Sequence, residues 1–251
     1  MRIKKISITS ILALILAFAM LVGMASNLLI PFNFKATCLV LIGCALAWYL
    51  KPIFVKLLHP LSEVTMTKII SLILILILII QLLVIQYLPA SVYHDPFRVL
   101  VQAEQLSRGN FNWNDSLYFW RFPNNVSLTV LLSYWLKFTH LFHLDTYWGV
   151  HLLSLILLDT FIFAIIRSVR RLSHQHSAAL LPALFFLFSP FAYTYYLQVF
   201  YSDLPTLLSL AVVFNVIIGW QSFSRLKKGI TGIGVVLSVL IGEVVKPNLI
   251  V

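Results

Sequence analysis

Apolar residues along this chain are not spaced at intervals of two or of three to four. They are gathered into nearly unbroken runs at 8–30, 36–57, 69–89, 147–166, 177–198, 204–220 and 229–245. A helix formed by any of these runs is about long enough to cross the ~30 Å hydrocarbon core of a bilayer. The pattern predicts an all-α fold, a polytopic transmembrane helix bundle of about seven spans. An eighth stretch, 124–142, is also mostly apolar but carries Asn124, Asn125, Lys137 and His140. Whether it crosses decides on which side everything after it lies.

Charge answers that question, because cytoplasmic loops of membrane proteins carry the excess of Lys and Arg. With 124–142 kept from crossing, Arg2, Lys4, Lys5, Lys51, Lys56, Lys68, Arg167, Arg170, Arg171, Arg225, Lys227 and Lys228 share the cytoplasmic side, twelve of the 18 basic residues. Lys35, Arg98, Arg108, Arg121, Lys137 and Lys246 are then outside. If the stretch crossed, the clusters at Arg167 to Arg171 and at Arg225 to Lys228 would both move outside. The stretch 124–142 is therefore expected to be an interfacial or re-entrant helix on the outer face, with Tyr134 and Trp135 at headgroup depth. The amino terminus is expected in the cytoplasm and the chain in the plasma membrane.

Composition agrees. Of 251 residues, 61% are hydrophobic and 10% charged, more apolar surface than a water-soluble core of this length hides. A net charge of +10 in a soluble protein would raise nucleic-acid binding, but here the basic residues sit between apolar runs, and no nucleic-acid partner is expected. Cys38 and Cys44 fall inside one run and suit helix packing. The run 8–30 exceeds the ~7–15 apolar residues of a signal peptide and reads as an uncleaved anchor. Residues 1–68 form extra amino-terminal spans, and 69–251 form a core with an outer loop at 90–146. Residues 246–251 read as the opening of a further span, so the core is expected to be incomplete and the chain an amino-terminal fragment.

In this topology Asp95, Glu104, Asp115, Asp145 and Asp203 lie outside, Glu63 inside, and Asp159 and Glu243 within spans. The loop from about 89 to 124 holds the densest polar and aromatic set, including Tyr93-His94-Asp95-Pro96-Phe97-Arg98, Glu104 and Tyr118-Phe119-Trp120-Arg121-Phe122-Pro123. Asp95 follows a span directly, so a carboxylate partly shielded from water at the bilayer surface is a candidate general base. Equally, Asp before Pro is a helix start signal, and the alternative role for Asp95 is to cap the helix that follows. That segment, 95–108, places Phe97, Leu100, Val101 and Leu106 near one side and is ended by Gly109, which suits a helix lying on the membrane. Asp203, in Tyr201-Ser202-Asp203-Leu204-Pro205, reaches the same face. Two carboxylates there suit shared acid-base work or a divalent cation, or else Asp203 is an N-cap. Arg98, Arg121 and Lys246 suit a phosphate at the lipid boundary, and with Glu104 they are the candidate substrate-binding residues. Asp159 and Glu243 are costly within a span and are candidates by default. His140, His143 and His151 lack a Cys or Asp in ligand register, and the metal is unassigned. Asn114-Asp115-Ser116 and Asn125-Val126-Ser127 match the glycosylation acceptor pattern. No Gly-rich phosphate loop or dinucleotide fingerprint occurs in the sequence, so no nucleotide cofactor is expected.

The order of these elements resembles the polytopic glycosyltransferases of the GT-C superfamily, the group of the protein O-mannosyltransferases and the lipid A aminoarabinose transferases, over about residues 70–225. The resemblance rests on Asp95-Pro96-Phe97, Ala103, Gly109-Asn110-Phe111 and Phe122-Pro123-Asn124-Asn125. It continues through the basic turn at Arg167 to Arg171, Ser189-Pro190, Tyr193 to Tyr196 and Asp203. It implies sugar inversion with a polyprenyl-phosphate sugar as donor and an envelope acceptor. Asp95 would activate the acceptor hydroxyl, Asp203 would support the acceptor or a metal, and Arg98, Arg121 or Lys246 would hold the leaving phosphate. The chain departs from the family in having Asp95-Pro96 where an acidic pair is common, in its two extra spans, and in lacking the later ones. A transporter or flippase working through Asp159 and Glu243, or a non-catalytic assembly subunit, are the alternatives.

Overall fold

The computed structural model describes Tyr49 and residues 61–89 and 91–246. The spans expected at 8–30 and 36–57 lie outside the described residues. The chain divides into Met1–Pro60 and Leu61–Val251, and the second unit holds nine α-helices among its described residues. They are α1 (Glu63–Tyr87), α2 (His94–Ser107), α3 (Ser116–Arg121), α4 (Asn124–His140), α5 (Thr146–Ser173), α6 (Leu180–Phe188), α7 (Tyr195–Gln198), α8 (Asp203–Gly219) and α9 (Arg225–Val245). No strand occurs among the described residues.

The long helices start where a short polar side chain replaces the missing backbone acceptor of the first turn. Ser62 accepts from the Thr65 amide at 3.2 Å, Asp145 from Trp148 at 2.8 Å and Ser224 from Lys227 at 3.4 Å. Four helices are long and apolar enough to cross a membrane: Glu63–Tyr87, Thr146–Ser173, Asp203–Ser222 and Arg225–Val245. At 1.5 Å per residue they run from about 30 to 42 Å. Their outward side chains are apolar; Leu72 on α1 and Ile233 on α9 are 67% and 65% exposed, and Ile75, Ile79, Leu237 and Leu240 point outward with them. Such surfaces need a lipid solvent.

The run 177–198 does not form the single span expected. His176–Phe188 and Pro190–Gln198 are bent by 69° to one another. Pro190 has no amide hydrogen and disfavours helical geometry in the residue before it, and Ser189 is accordingly extended, at φ −81° and ψ 129°. The Ser189 hydroxyl accepts from the Phe191 amide and starts the chain again in the new direction. This pair adds a fifth candidate crossing if it is one broken span.

Contacts at helix termini fix which ends lie together. Glu63, starting α1, bonds Arg170 near the end of α5 at 2.6 Å and reaches His176 at 3.2 Å. Arg171 donates to the Asn215 carbonyl near the end of α8 at 2.7 Å and lies over the ring of Phe223, just before α9. At the opposite end, Gln198 donates to the Leu88 carbonyl beyond α1 at 2.9 Å, and Lys246 beyond α9 pairs with Asp203 at 3.0 Å. The segment 88–145 therefore leaves and re-enters the bundle at one end, and α4 is not among the helices long and apolar enough to cross.

Within that segment α2 and α4 lie side by side and parallel, and the stretch 108–123 doubles back between them. Gly109, at φ 84°, takes the left-handed conformation that ends α2, with Asn110 bonding back to the Gln105 carbonyl and Gly109 to Leu106. Leu128, Leu132 and Leu136 of α4, at helical spacing, meet Val99, Leu100 and Ala103 of α2, with Val150, Phe200 and Val245 closing the cluster. The apolar residues expected near one side of α2 divide: Phe97 and Val101 face outward, while Leu100 is buried with Val99 and Ala103, and Gln102 turns in with them. Trp135 is also turned in, its indole donating to the Gly149 carbonyl at 2.8 Å and joining α4 to α5.

Two outcomes follow. With Cys38 and Cys44 replaced, single cysteines at Tyr93 and Lys246 should react with an impermeant thiol reagent from one side of the membrane, and cysteines at Gln175 and Arg225 from the other. Gly149 has no room for a side chain, since a Cβ there would stand 2.8 Å from the Thr139 hydroxyl and 3.0 Å from Leu136. Gly149→Val should cost about 1–3 kcal/mol by forcing α5 away from α4, read as a lowered melting temperature in detergent.

Candidate functional site

Asp95, Asn125 and Asp203 stand in the first turns of α2, α4 and α8, and side chains from the intervening loops tie these three helix starts together. Asn125, 1% exposed, donates from Nδ2 to the Tyr118 hydroxyl at 2.6 Å, and its Oδ1 accepts from the Tyr201 hydroxyl at 3.3 Å. Tyr118 in turn hydrogen-bonds the Asp95 side chain. Burial, then the neighbouring Tyr201 and the negative charge of Asp95, hold the Tyr118 phenol well above the ordinary tyrosine range. Tyr201 is raised as well, by burial first and with the Asp95 and Asp203 charges adding to it. Both phenols therefore keep their protons at any physiological pH and remain donors.

Cations surround the cluster. Arg98, one turn after Asp95, lies 4.7 Å from the centre of the Tyr118 ring and 3.5 Å from the Asp115 carboxylate. Asp115 also caps α3 by accepting from the Tyr118 amide at 3.3 Å, so one carboxylate sets both the ring and the cation that covers it. Lys246 sits on Asp203. Arg98 and Lys246 thus each have a carboxylate partner, whereas among the described residues no Lys or Arg is ion-paired to Asp95. Its neighbour is a phenol, which stabilises a carboxylate less than a cation does. His94, immediately before it, holds a left-handed φ of 57°, a conformation that costs about 1–2 kcal/mol.

The expected cap roles do not hold. The N-cap of α2 is Tyr93 and that of α8 is Ser202, neither making a side-chain cap bond. Asp95 is the second residue of α2 and Asp203 the first of α8, so both stand inside the first turn, where a negative charge suits the helix dipole. Glu104 belongs to a different place, nine residues on and about 13 Å along α2. There it bonds Arg108 at 2.5 Å, lies 3.5 Å from His140 and accepts from the Thr146 hydroxyl, fastening the far ends of α2 and α4 to the start of α5. Arg121 is exposed, 5.7 Å from the ring of its neighbour Phe122, and outside the hydrogen-bonded cluster. No group of three or more His, Cys, Asp and Glu side chains is gathered among the described residues.

Three members of the cluster, Tyr118, Asn125 and Tyr201, were not singled out by the sequence reading as site residues. Asn125 there matched a glycosylation acceptor, but buried and with its nitrogen bonded to Tyr118 it is closed to a glycan in the folded chain. Asn114 is exposed; its backbone amide bonds the side chain of Gln102, which also donates to the Asn112 carbonyl at 2.7 Å and so pins the returning loop to α2. Beside the cluster a cavity of about 600 Å³ opens between the end of α1 and the bend, lined by Val84, Leu88, Tyr93, Pro190, Tyr193 and Val199 among others. Deeper, Asp159 of α5 is hydrogen-bonded by Gln81 of α1, whose Nε2 also donates to the Ala192 carbonyl at the bend, at 3.2 Å. Glu243 of α9 has one buried carboxylate oxygen without a hydrogen-bond partner among the described residues.

No family model matches the chain, and no curated protein and no solved structure matches it.

Asn125 is the joint of the cluster. Asn125→Leu removes one hydrogen bond from each of the phenols Tyr118 and Tyr201 and should cost about 1–3 kcal/mol. Faster hydrogen exchange across 116–128 than in wild type would check it.

Proposed function

We propose that this chain is a membrane glycosyltransferase of the GT-C type, or the amino-terminal part of one, acting on the non-cytoplasmic face of the plasma membrane. The donor is a sugar linked to polyprenyl phosphate and the acceptor a hydroxyl of an envelope molecule. The reading draws on the order of motifs from Asp95 to Asp203. The observation that carries it is a phenol-bonded, unpaired Asp95 in the same cluster as the ion-paired Arg98 and Lys246.

In the reaction the acceptor oxygen attacks the anomeric carbon as its proton passes to the Asp95 carboxylate. The bond from that carbon to the phosphate oxygen breaks with inversion, and its electron pair leaves on the polyprenyl phosphate. Tyr118 holds Asp95 in place and Asn125 holds Tyr118. Arg98 and Lys246 meet the phosphate by exchanging their present carboxylate partners for it, and Arg121 lies near enough along the chain to reach the donor. Asp203, released from Lys246, orients the acceptor or shares a divalent cation with it. The apolar cavity between α1 and the bend suits the first units of a prenyl chain. In this reading α2 and α4 lie at the outer membrane surface, with Phe97, Val101 and the 82%-exposed Trp120 turned to lipid, and the unit joins two further spans in residues 1–60 to make about seven.

Asp95→Asn should reduce transfer from a polyprenyl-phosphate sugar by about 10²–10⁴-fold, the usual contribution of a general base, with insertion and thermal stability kept. An active Asp95→Asn protein would sink the mechanism. A second reading, transport or flipping, is favoured by one observation: the broken helix 176–198 beside Asp159, a combination found where substrates pass through membranes. It requires uptake or flipping to be lost in Asp159→Asn while Asp95→Asn has no effect.

A further inference from the structure

At the end of the bundle opposite Asp95, a cavity of about 620 Å³ lies between α1 and α5, and its lining changes character with depth. At its mouth are Arg167, Arg170 and Arg171 of α5 with His174 and His176 just beyond. Arg167, Arg170 and Arg171 sit at i, i+3 and i+4, so they share a face of the helix. Opposed to them is a single carboxylate, Glu63, already bonded to Arg170 and His176. Arg171 is held aside by the Asn215 carbonyl and side-chain oxygens, at 2.7 and 2.5 Å. Arg167 is exposed and has no carboxylate partner among the described residues. One turn deeper the lining becomes apolar, with Phe163 and Ile166 on α5 facing Ile70 and Leu74 on α1.

We infer that this cavity binds one anionic phospholipid from the surrounding leaflet. Its phosphate would sit between Arg167 and Arg170 and its acyl chain against Phe163 and Leu74. Charge complementarity selects the headgroup: Arg167 and Arg170 at the mouth have the single carboxylate of Glu63 between them, and a phosphate diester supplies the missing negative charge. The apolar floor selects a lipid over a free phosphate, which would leave that floor against water or empty. Basic pockets between membrane helices hold anionic headgroups for the same reasons. The site is independent of the proposed glycosyl transfer, since its residues lie at the other end of the bundle.

The test is native mass spectrometry of the whole chain released from detergent, titrated with dioleoyl-phosphatidylglycerol and separately with dioleoyl-phosphatidylcholine. One phosphatidylglycerol should bind at least about fivefold more tightly than phosphatidylcholine, in line with roughly 1 kcal/mol for each basic side chain near an anionic headgroup. Arg167→Gln, which leaves the Glu63 pair intact, should remove about that fivefold preference. Leu74→Trp, which fills the floor without touching a charge, should weaken binding of the same lipid. Equal affinity for the two lipids, or displacement of phosphatidylglycerol by millimolar inorganic phosphate, would overturn the inference. So would full binding to a folded Leu74→Trp protein, because the arginines would then be acting from the surface rather than from the cavity.

Discussion

A helix lying against hydrocarbon meets nothing there that can hydrogen-bond a polar side chain, and water is absent to make up the loss. That constraint sorts this chain. The outward faces of α1 and α9 are apolar, and the ion pairs are pushed to the two ends of the bundle. At one end Glu63, Arg170 and His176 close α1 against α5, and at the other Asp203 and Lys246 close α8 against the end of α9. Among the polar groups that remain at depth, Gln81 with Asp159 and Asn215 with Ser168 bond one another across helices, as polar residues between membrane helices do.

The segment 88–145 leaves the bundle and returns to it at one end, and there it gathers a polar cluster. Because α2 and α4 run parallel, the returning stretch 108–123 delivers Tyr118 back to the start of α2, where it meets Asp95. The leucines at 128, 132 and 136 bring α4 onto α2, and that packing, rather than any loop, sets the distance between Asn125 and Tyr118. At the far end of the same pair, Glu104 and His140 keep the helices from splaying. A carboxylate with a phenol for a neighbour, cations one turn away and three helix starts around it is a place where an anion would be stabilised.

Much of the bundle is legible in the sequence, since unbroken apolar runs mark α1, α5, α8 and α9 directly. The bend at Ser189 was legible too, in Pro190, but run length outweighed it. The face of α2 was not, because Phe97 and Val101 are as apolar as Val99 and Ala103, and a sequence does not say which apolar stripe meets protein and which meets lipid. Asp95 and Asp203 could be brought to one end by topology alone. The residues between them could not: Tyr201 and Asn125 are 76 positions apart, and a contact of that range leaves no spacing to read. Glu104 looked like its acidic neighbours, and only the packed ends of α2, α4 and α5 reveal that it is a fastening.

The bend between α6 and α7 has a consequence for how the protein is made. A break in a helix frees backbone carbonyls, and at this one the Ala192 oxygen is satisfied by a side chain, Gln81, that lies 111 residues earlier in the chain. Synthesis therefore completes the acceptor's partner long before the broken segment leaves the ribosome. Within the segment 176–198 the Tyr193 hydroxyl donates to the Leu187 carbonyl and the Thr194 hydroxyl to the Pro190 carbonyl, both at 2.8 Å, whereas the Ala192 oxygen relies on a side chain of another helix. The bend is thus completed by a helix made before it, and the order of the elements along the chain lets that bond form as soon as the broken segment meets α1.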